Sequence, residues 1–310
     1  MSISFEPFER GVGGLRPTHA AQHQWHLAGA KRTGGVRACD SRPVGFENAF
    51  AKGLKSMNHT VTVEREGQVL VVTISRPEMR NAIDRATSEA MAEAFDQLDS
   101  DPSLSLGILT GAGAHFCSGM DLKAFLRGER VELPGRGLGG IIETPPKKPV
   151  IAAVEGFALA GGFEIALACD LIVAADNAQF GLPEVKRGLM AGSGGLLRLP
   201  QRVPRQIAMQ YALTGDMMSA AQAHQWGLVN QLTAPGAALQ GALELARKIA
   251  ANAPLAVSLS KQVVAEALHW PADERWQRQN ALLENIIHSN DAKEGAAAFR
   301  DKRPPVWTGS

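Results

Sequence analysis

Two glutamates in glycine-rich surroundings, Glu164 and Glu184, have the residue type and setting to move protons. Glu164 ends the run Glu155-Gly-Phe-Ala-Leu-Ala-Gly-Gly-Phe-Glu164. The adjacent Gly161 and Gly162 allow close backbone approach and leave the first N–H groups of a following helix free. Glu184 follows Pro183 between the apolar Leu182 and Val185, where partial burial would raise its pKa toward acid–base use. A third stretch, Thr110-Gly-Ala-Gly-Ala-His-Phe-Cys-Ser-Gly-Met-Asp-Leu-Lys123, runs from a strand through a glycine turn to a helix start. Such a turn aims backbone N–H groups at one point, which suits a negatively charged oxygen. Two N–H groups from separate turns, beside a carboxylate, make an oxyanion hole with an acid/base next to it. Each feature also has a plainer use. A first-turn acid complements the helix dipole, Pro-Glu is a common helix start, and a glycine turn simply joins strand to helix.

Other chemistries fit less well. After Gly111 and Gly113 the third glycine of a dinucleotide fingerprint is replaced by Phe116. Ser118 and Ser193 lie in glycine contexts, but neither forms the G-x-S-x-G elbow of a serine hydrolase. His115 and His224 lack partners at catalytic spacing and read as structural or surface histidines. Cys39, Cys117 and Cys169 include no CxxC pair, so no metal site is expected, and a reducing, cytoplasmic setting fits. A net charge of +1 gives no general case for nucleic acid or an anionic membrane, and 5% aromatic residues are too few for a base-stacking platform. The longest apolar run, Pro149 to Val154, is far short of a membrane span, and no basic segment with an apolar core opens the chain.

Residues 1–56 lack periodic apolar positions and carry eight Lys/Arg against four Asp/Glu, net +4, leaving 1 − 4 = −3 for the remainder. This extension is expected to be disordered. An upstream start codon with Met57 opening the domain, a native arm, or a transit peptide to the mitochondrion would each account for it, although Glu6 and Glu9 sit where a transit peptide is free of acids. From Thr60 the pattern is regular. Thr60–Arg65 and Gln68–Ser75 read as a hairpin across Glu66-Gly67, and Asp84–Leu98 as a helix capped by Asp84. Leu106–Thr110 and Val150–Val154 read as strands, Gly162–Cys169 as a helix directly after the second of them, and Leu171–Ala174 as a further strand. Arg127–Gly140 is expected to be a mobile loop. Beyond Val203 the chain reads as nearly all helical, in Ala237–Ala251, Leu255–Leu268, Glu274–His288 and Ala292–Arg300. The class is α/β, with C-terminal helices whose apolar faces suit a neighbouring subunit.

Taken together, the motifs resemble the crotonase, or enoyl-CoA hydratase/isomerase, family from about Thr60 onward. The markers run in order: Arg76-Pro77 with Asn81-Ala82, Phe116-Cys-Ser-Gly-Met-Asp-Leu-Lys123, and Pro149–Val154 with Gly161-Gly-Phe-Glu164. Phe180-Gly-Leu-Pro-Glu184, Thr214-Gly215 with Ala220 and Trp226–Val229, and Glu294-Gly295 with Ala298-Phe299 and Lys302-Arg303 follow. The resemblance implies a spiral of ββα units over residues 57–253 and a helical trimerisation region over residues 254–310, giving a homotrimer or a dimer of trimers. It implies an acyl-CoA thioester as substrate, with coenzyme A part of that substrate and no separate cofactor. Met120 and Gly161 would donate their backbone N–H groups to the thioester oxygen, and Glu164 and Glu184 would together handle one water and the α-carbon proton. Coenzyme A would be held by Asn81, Ala82, Met120, Asp121, Leu122, Lys123 and Gly161, with Phe299 and Lys302 closing over it. The implied activity is an enoyl-CoA hydratase, adding water reversibly to a 2-enoyl-CoA to give a 3-hydroxyacyl-CoA. Isomerases of the family generally lack one of the two acids or carry them elsewhere, and a non-catalytic binding member would not need them. Ala191 and Ser193 depart from the frequent proline and alanine there, which bears on acyl-chain preference. Gly194–Pro200 and Glu294–Trp307 look especially similar to the carnitinyl-CoA dehydratases of the family.

Overall fold

A computed structural model describes residues 56–58 and 60–310; the extension expected over residues 1–56 lies, Ser56 apart, outside the described residues. Seven strands form the main sheet: β1 (Ser56–Asn58), β2 (Val61–Glu66), β3 (Val69–Ile74), β4 (Leu106–Gly111), β5 (Val150–Val154), β7 (Leu171–Ala175) and β10 (Gln231–Thr233), in that order. The first three pair antiparallel, and β3 onward is parallel. A small second sheet holds β6 (Phe157–Leu159), β8 (Gln179–Gly181) and β9 (Met218–Ser219).

Parallel strands are buried on both faces, so alternate residues feed two different cores. Val69, Val71, Leu106, Ile108, Ile151, Ala153 and Val173 face α7 (Ala238–Ala250), which lays Ala238, Ala242 and Ala246 on them. Leu70, Val72, Ile74, Leu109, Ala152, Val154 and Ile172 face the larger core. That core takes Met91, Phe95 and Leu98 from α1 (Arg85–Ser100). As expected, Asp84 caps α1: its Oδ1 accepts from the Thr87 N–H at 2.9 Å and the Thr87 hydroxyl at 2.7 Å.

The strands climb as a two-sheet spiral. β4 leads to Cys117, which bridges Ala158 of β6 in parallel; β5 leads to β6; β7 leads to β8. The helix carrying Glu164 therefore does not follow β5 directly, as the sequence suggested. β6 intervenes, and three residues are too few to show a period. Beyond Val203 the chain is nearly all helical, as read, with two exceptions: β9 and β10 are two- and three-residue strands held by partners distant in sequence. The loop Arg127–Gly140 is also less free than its composition implied. Val131 and Leu138 are buried, and the Arg136 guanidinium bonds to Asp96 of α1 at 2.5 Å and to the Gly140 carbonyl at 3.0 Å.

The remaining helices are α2 (Leu122–Leu126), α3 (Gly161–Ala168), α4 (Gly195–Arg202), α5 (Arg205–Thr214), α6 (Ala220–Gln225), α8 (Pro254–Glu266), α9 (Arg275–Ile287) and α10 (Asn290–Asp301). Neither α8 nor α9 buries a residue. Lys261 of α8 ties this end to the core, donating to the Pro146 and Lys148 carbonyls at 2.7 and 3.0 Å and to Asp170 at 2.7 Å.

Candidate active site

The two backbone donors are positioned by short strand pairings. The Ile83 N–H donates to the Gly119 carbonyl and the Asp121 N–H to the Ile83 carbonyl, each at 2.8 Å. In this parallel bridge the intervening Met120 N–H points away from Ile83. Two bonds between Cys117 and β6, Cys117 N–H to Phe157 O and Leu159 N–H to Cys117 O, both 3.0 Å, bring that turn beside the start of α3. Gly161 is the first residue of α3, so its N–H is one of the helix's unpaired initial donors. Ala160 just before it adopts φ 48° and ψ −129°, a costly conformation for a residue with a Cβ, held by its N–H bond to the Gly181 carbonyl at 2.9 Å.

The closeness of the turns requires glycine. At Gly119 (φ 99°) a Cβ would lie 3.0 Å from the Gly161 nitrogen and 3.1 Å from the Leu159 carbonyl. At Gly161 it would lie 3.5 Å from the Met120 nitrogen and 2.4 Å from Leu138 Cδ2. Met120 and Gly161 thus present their N–H groups from touching turns, an arrangement able to hold one developing oxyanion.

Glu164 lies one turn into α3 and is 2% exposed, so its role exceeds that of a solvated helix-start acid. Its Oε1 accepts the N–H groups of Ser193 and Gly195, each at 2.8 Å. Burial raises its pKa, while these bonds and the nearby Arg198 oppose the shift. Glu184 lies in the 3-10 turn Pro183–Arg187, half-buried as its flanking residues suggested. Burial raises its pKa and the charge of Glu164 adds to that, with a bond from its own backbone N–H and the charge of Arg187 opposing. Among the described residues nothing donates a hydrogen bond to its buried Oε2. Leu182 packs at the same place, its Cδ1 3.2 Å from where a Gly195 Cβ would be, beside the Glu164 carboxylate.

The other expected site residues lie around the same turns and on the C-terminal helix. Asn81 is wholly buried; its Oδ1 accepts the Arg76 N–H at 3.0 Å and its amide donates to the Ala112 and His115 carbonyls at 2.9 and 2.6 Å. The Ala82 carbonyl accepts from the Arg76 guanidinium. Asp121 pairs with Arg76 at 2.9 Å and caps α2 through the Lys123 and Ala124 N–H groups at 2.9 and 3.3 Å. The side chains of Asn81 and Asp121 thus hold the turn together, while Leu122 and Lys123 stand exposed beside it. Phe299 projects from α10 at 86% exposure, and Lys302 caps that helix in the left-handed conformation. Among the described residues no group of three or more His, Cys, Asp or Glu could hold a metal. His115 stacks on Phe157 with ring centroids 4.6 Å apart, and His224 Nδ1 lies 2.8 Å from the Val229 carbonyl. Arg76, which also meets Asp84 at 3.0 Å, and Arg198 both lie in stretches the resemblance marked, but neither was assigned a role at the site from the sequence.

Residues 64–310 match the enoyl-CoA hydratase/isomerase family. A carnitinyl-CoA dehydratase of Salmonella typhi is 44% identical over 262 residues, spanning 82% of this chain and all of its own length. An enoyl-CoA hydratase from Mycobacterium marinum superposes with a TM-score of 0.80 at 58% identity, and a carnitinyl-CoA hydratase from Mycobacterium avium with 0.66 at 43%. Each covers 82% of this chain and 100% of its own. With a matching family model over most of its length and close relatives spanned whole, this chain belongs to the enoyl-CoA hydratase/isomerase, or crotonase, family.

Proposed function

We propose that this chain is an enoyl-CoA hydratase, a hydro-lyase that adds water reversibly to a 2-enoyl-CoA to give a 3-hydroxyacyl-CoA. The observation that carries the reading is the unequal pair of carboxylates. Glu164 takes two backbone N–H bonds on Oε1, which support its charged form. Glu184 has no donor at its buried Oε2, and its burial with the charge of Glu164 outweighs the bond from its own backbone N–H, so its protonated form is favoured. Paired groups whose surroundings treat them differently mark base and acid. Glu164 takes a proton from water as the oxygen bonds to the β carbon, and Glu184 gives its proton to the α carbon. The enolate oxygen formed between these events sits on the Met120 and Gly161 N–H groups, each such donor contributing about 3 kcal/mol in other enzymes. Dehydration runs the same steps in reverse.

Coenzyme A enters as part of the substrate. Its passage lies past the exposed Leu122 and Lys123, with Phe299 and Lys302 supplied by a neighbouring copy in a homotrimer or dimer of trimers. The exposure of Phe299 in a single chain supports that arrangement. A cytoplasmic setting fits the free, buried thiols of Cys117 and Cys169. Loss of the conjugated absorbance of crotonyl-CoA on mixing with the protein is the direct test. A folded protein with no turnover across a series of acyl-chain lengths, carnitinyl-CoA included, would sink the proposal. Preference for carnitinyl-CoA within that series would keep the chemistry and change the substrate.

A further inference from the structure

The turn that grips Glu164 is itself held from behind by a half-buried cation. Ser193 and Gly195 donate to the carboxylate, and between them Gly194 adopts φ 88°. A Cβ at Gly194 would come 2.3 Å from Arg198 Nη1, so the guanidinium lies directly against the bare backbone of the turn. The other arm of the fork, Nη2, donates to the Ile142 carbonyl, in the segment that closes over α1. The Arg198 N–H also bonds to the Gly194 carbonyl at 2.9 Å, so turn and side chain are fixed by the same first turn of α4.

We propose that Arg198 is the positioning residue for Glu164: its guanidinium, wedged between Gly194 and the Ile142 carbonyl, keeps the Ser193–Gly195 turn on the carboxylate and supplies the positive charge nearest to it. Glu164 is faced by few other groups. From the 3-10 turn comes Glu184, a like charge; from α4 come Arg198 and the Gly195 N–H, and from the turn before it the Ser193 N–H and hydroxyl; Leu182 adds apolar surface. The second arginine of α4, Arg202, serves the other end of α3, donating to the Cys169 carbonyl at 2.7 Å. Arg198 is therefore the cation that offsets both the burial of Glu164 and the repulsion of Glu184. A planar, permanently charged fork suits this double duty better than an ammonium group.

The inference rests on the hydratase reading for its kinetic part only. Arg198→Gln keeps a polar side chain and removes the charge; Arg198→Lys keeps the charge and loses the fork. The expected result is that Arg198→Gln moves the acidic limb of the kcat/KM profile up by about one pH unit, the usual effect of losing one nearby opposite charge. KM should change less than about twofold, because Arg198 acts through Glu164 and not on the substrate. Arg198→Lys should leave the limb in place while lowering kcat. Infrared titration of the carboxylates, with Glu164→Gln as the blank, reads the same upward shift without any turnover, so it decides the point even if the protein proves not to hydrate crotonyl-CoA. Arg202→Met, a cation lost at the far end of α3, should leave the limb unmoved. An unshifted Glu164 titration in Arg198→Gln, or an equal shift in Arg198→Lys, would overturn the proposal.

Discussion

Glu164 combines near-complete burial with a need for charge, and that combination has a cost in stability. Its pKa is raised on folding, so the folded chain binds more protons than the unfolded one between the two pKa values. Its favourable contribution is complete below the ordinary carboxylate range and is lost as pH rises through the folded pKa. Glu164→Gln is accordingly expected to melt above the wild type at pH 7 to 8, with the gap closing as pH falls toward about 4. Thermal melts across that range check it, and a gap independent of pH would refute it. The same substitution, and Glu184→Gln, should each lower kcat by about 10³-fold, within the usual range for a general acid or base. The acidic types and their apolar or glycine neighbours were legible in the sequence. The two N–H bonds from Ser193 and Gly195 were not, since they join residues 29 and 31 positions apart.

The turns that carry the oxyanion donors are built from glycines whose missing side chains face different obstacles. At Gly161 a Cβ meets Leu138 Cδ2, the end of a side chain able to move, and stands 3.5 Å from the Met120 nitrogen. Gly161→Ala should fold and lose about 10²-fold in kcat with KM little changed, as steady-state kinetics would show. At Gly162 a Cβ would lie 2.2 Å from the Cys117 carbonyl, which is held by the Leu159 N–H of β6 and cannot move aside. Gly162→Ala should instead lose about 3 kcal/mol in denaturant unfolding. Arg76 is the other organiser, joining Asp84, Asp121 and the Ala82 carbonyl. Burial works to raise the Asp121 pKa, but Arg76 and the α2 N–H groups outweigh it and the net shift is downward. Its contribution is therefore present above the ordinary Asp range and lost as pH falls through the lowered pKa. Arg76→Met should cost about 3 kcal/mol at neutral pH, a penalty that shrinks in acid as Asp121 protonates. The capped helix α1 and strands β2 to β5 were readable because each is long enough to show a period. β6, β8, β9 and β10 span three residues or fewer and exist through partners elsewhere in the chain.

For the whole molecule, the C-terminal helices present apolar surface that one chain does not cover, with Val264 80% and Trp276 73% exposed. The proposed homotrimer would bury this surface between copies. Light scattering should then give a multiple of three chains of 33.0 kDa, and Trp276→Asp should lower the mass and the crotonyl-CoA turnover together if Phe299 and Lys302 act across the interface. A monomer with full activity would exclude that arrangement. By itself, the sequence determined the family, the α/β class, the two acids and the glycine turns, because residue type and order suffice for those. The tertiary structure alone decided that Asn81 and Asp121 brace the turn with their side chains. It also decided that Glu164 and Glu184 differ in their hydrogen-bond partners, and that Arg198 stands behind the first of them. Those are matters of distance between residues far apart in the chain, and spacing along a sequence carries no such distance.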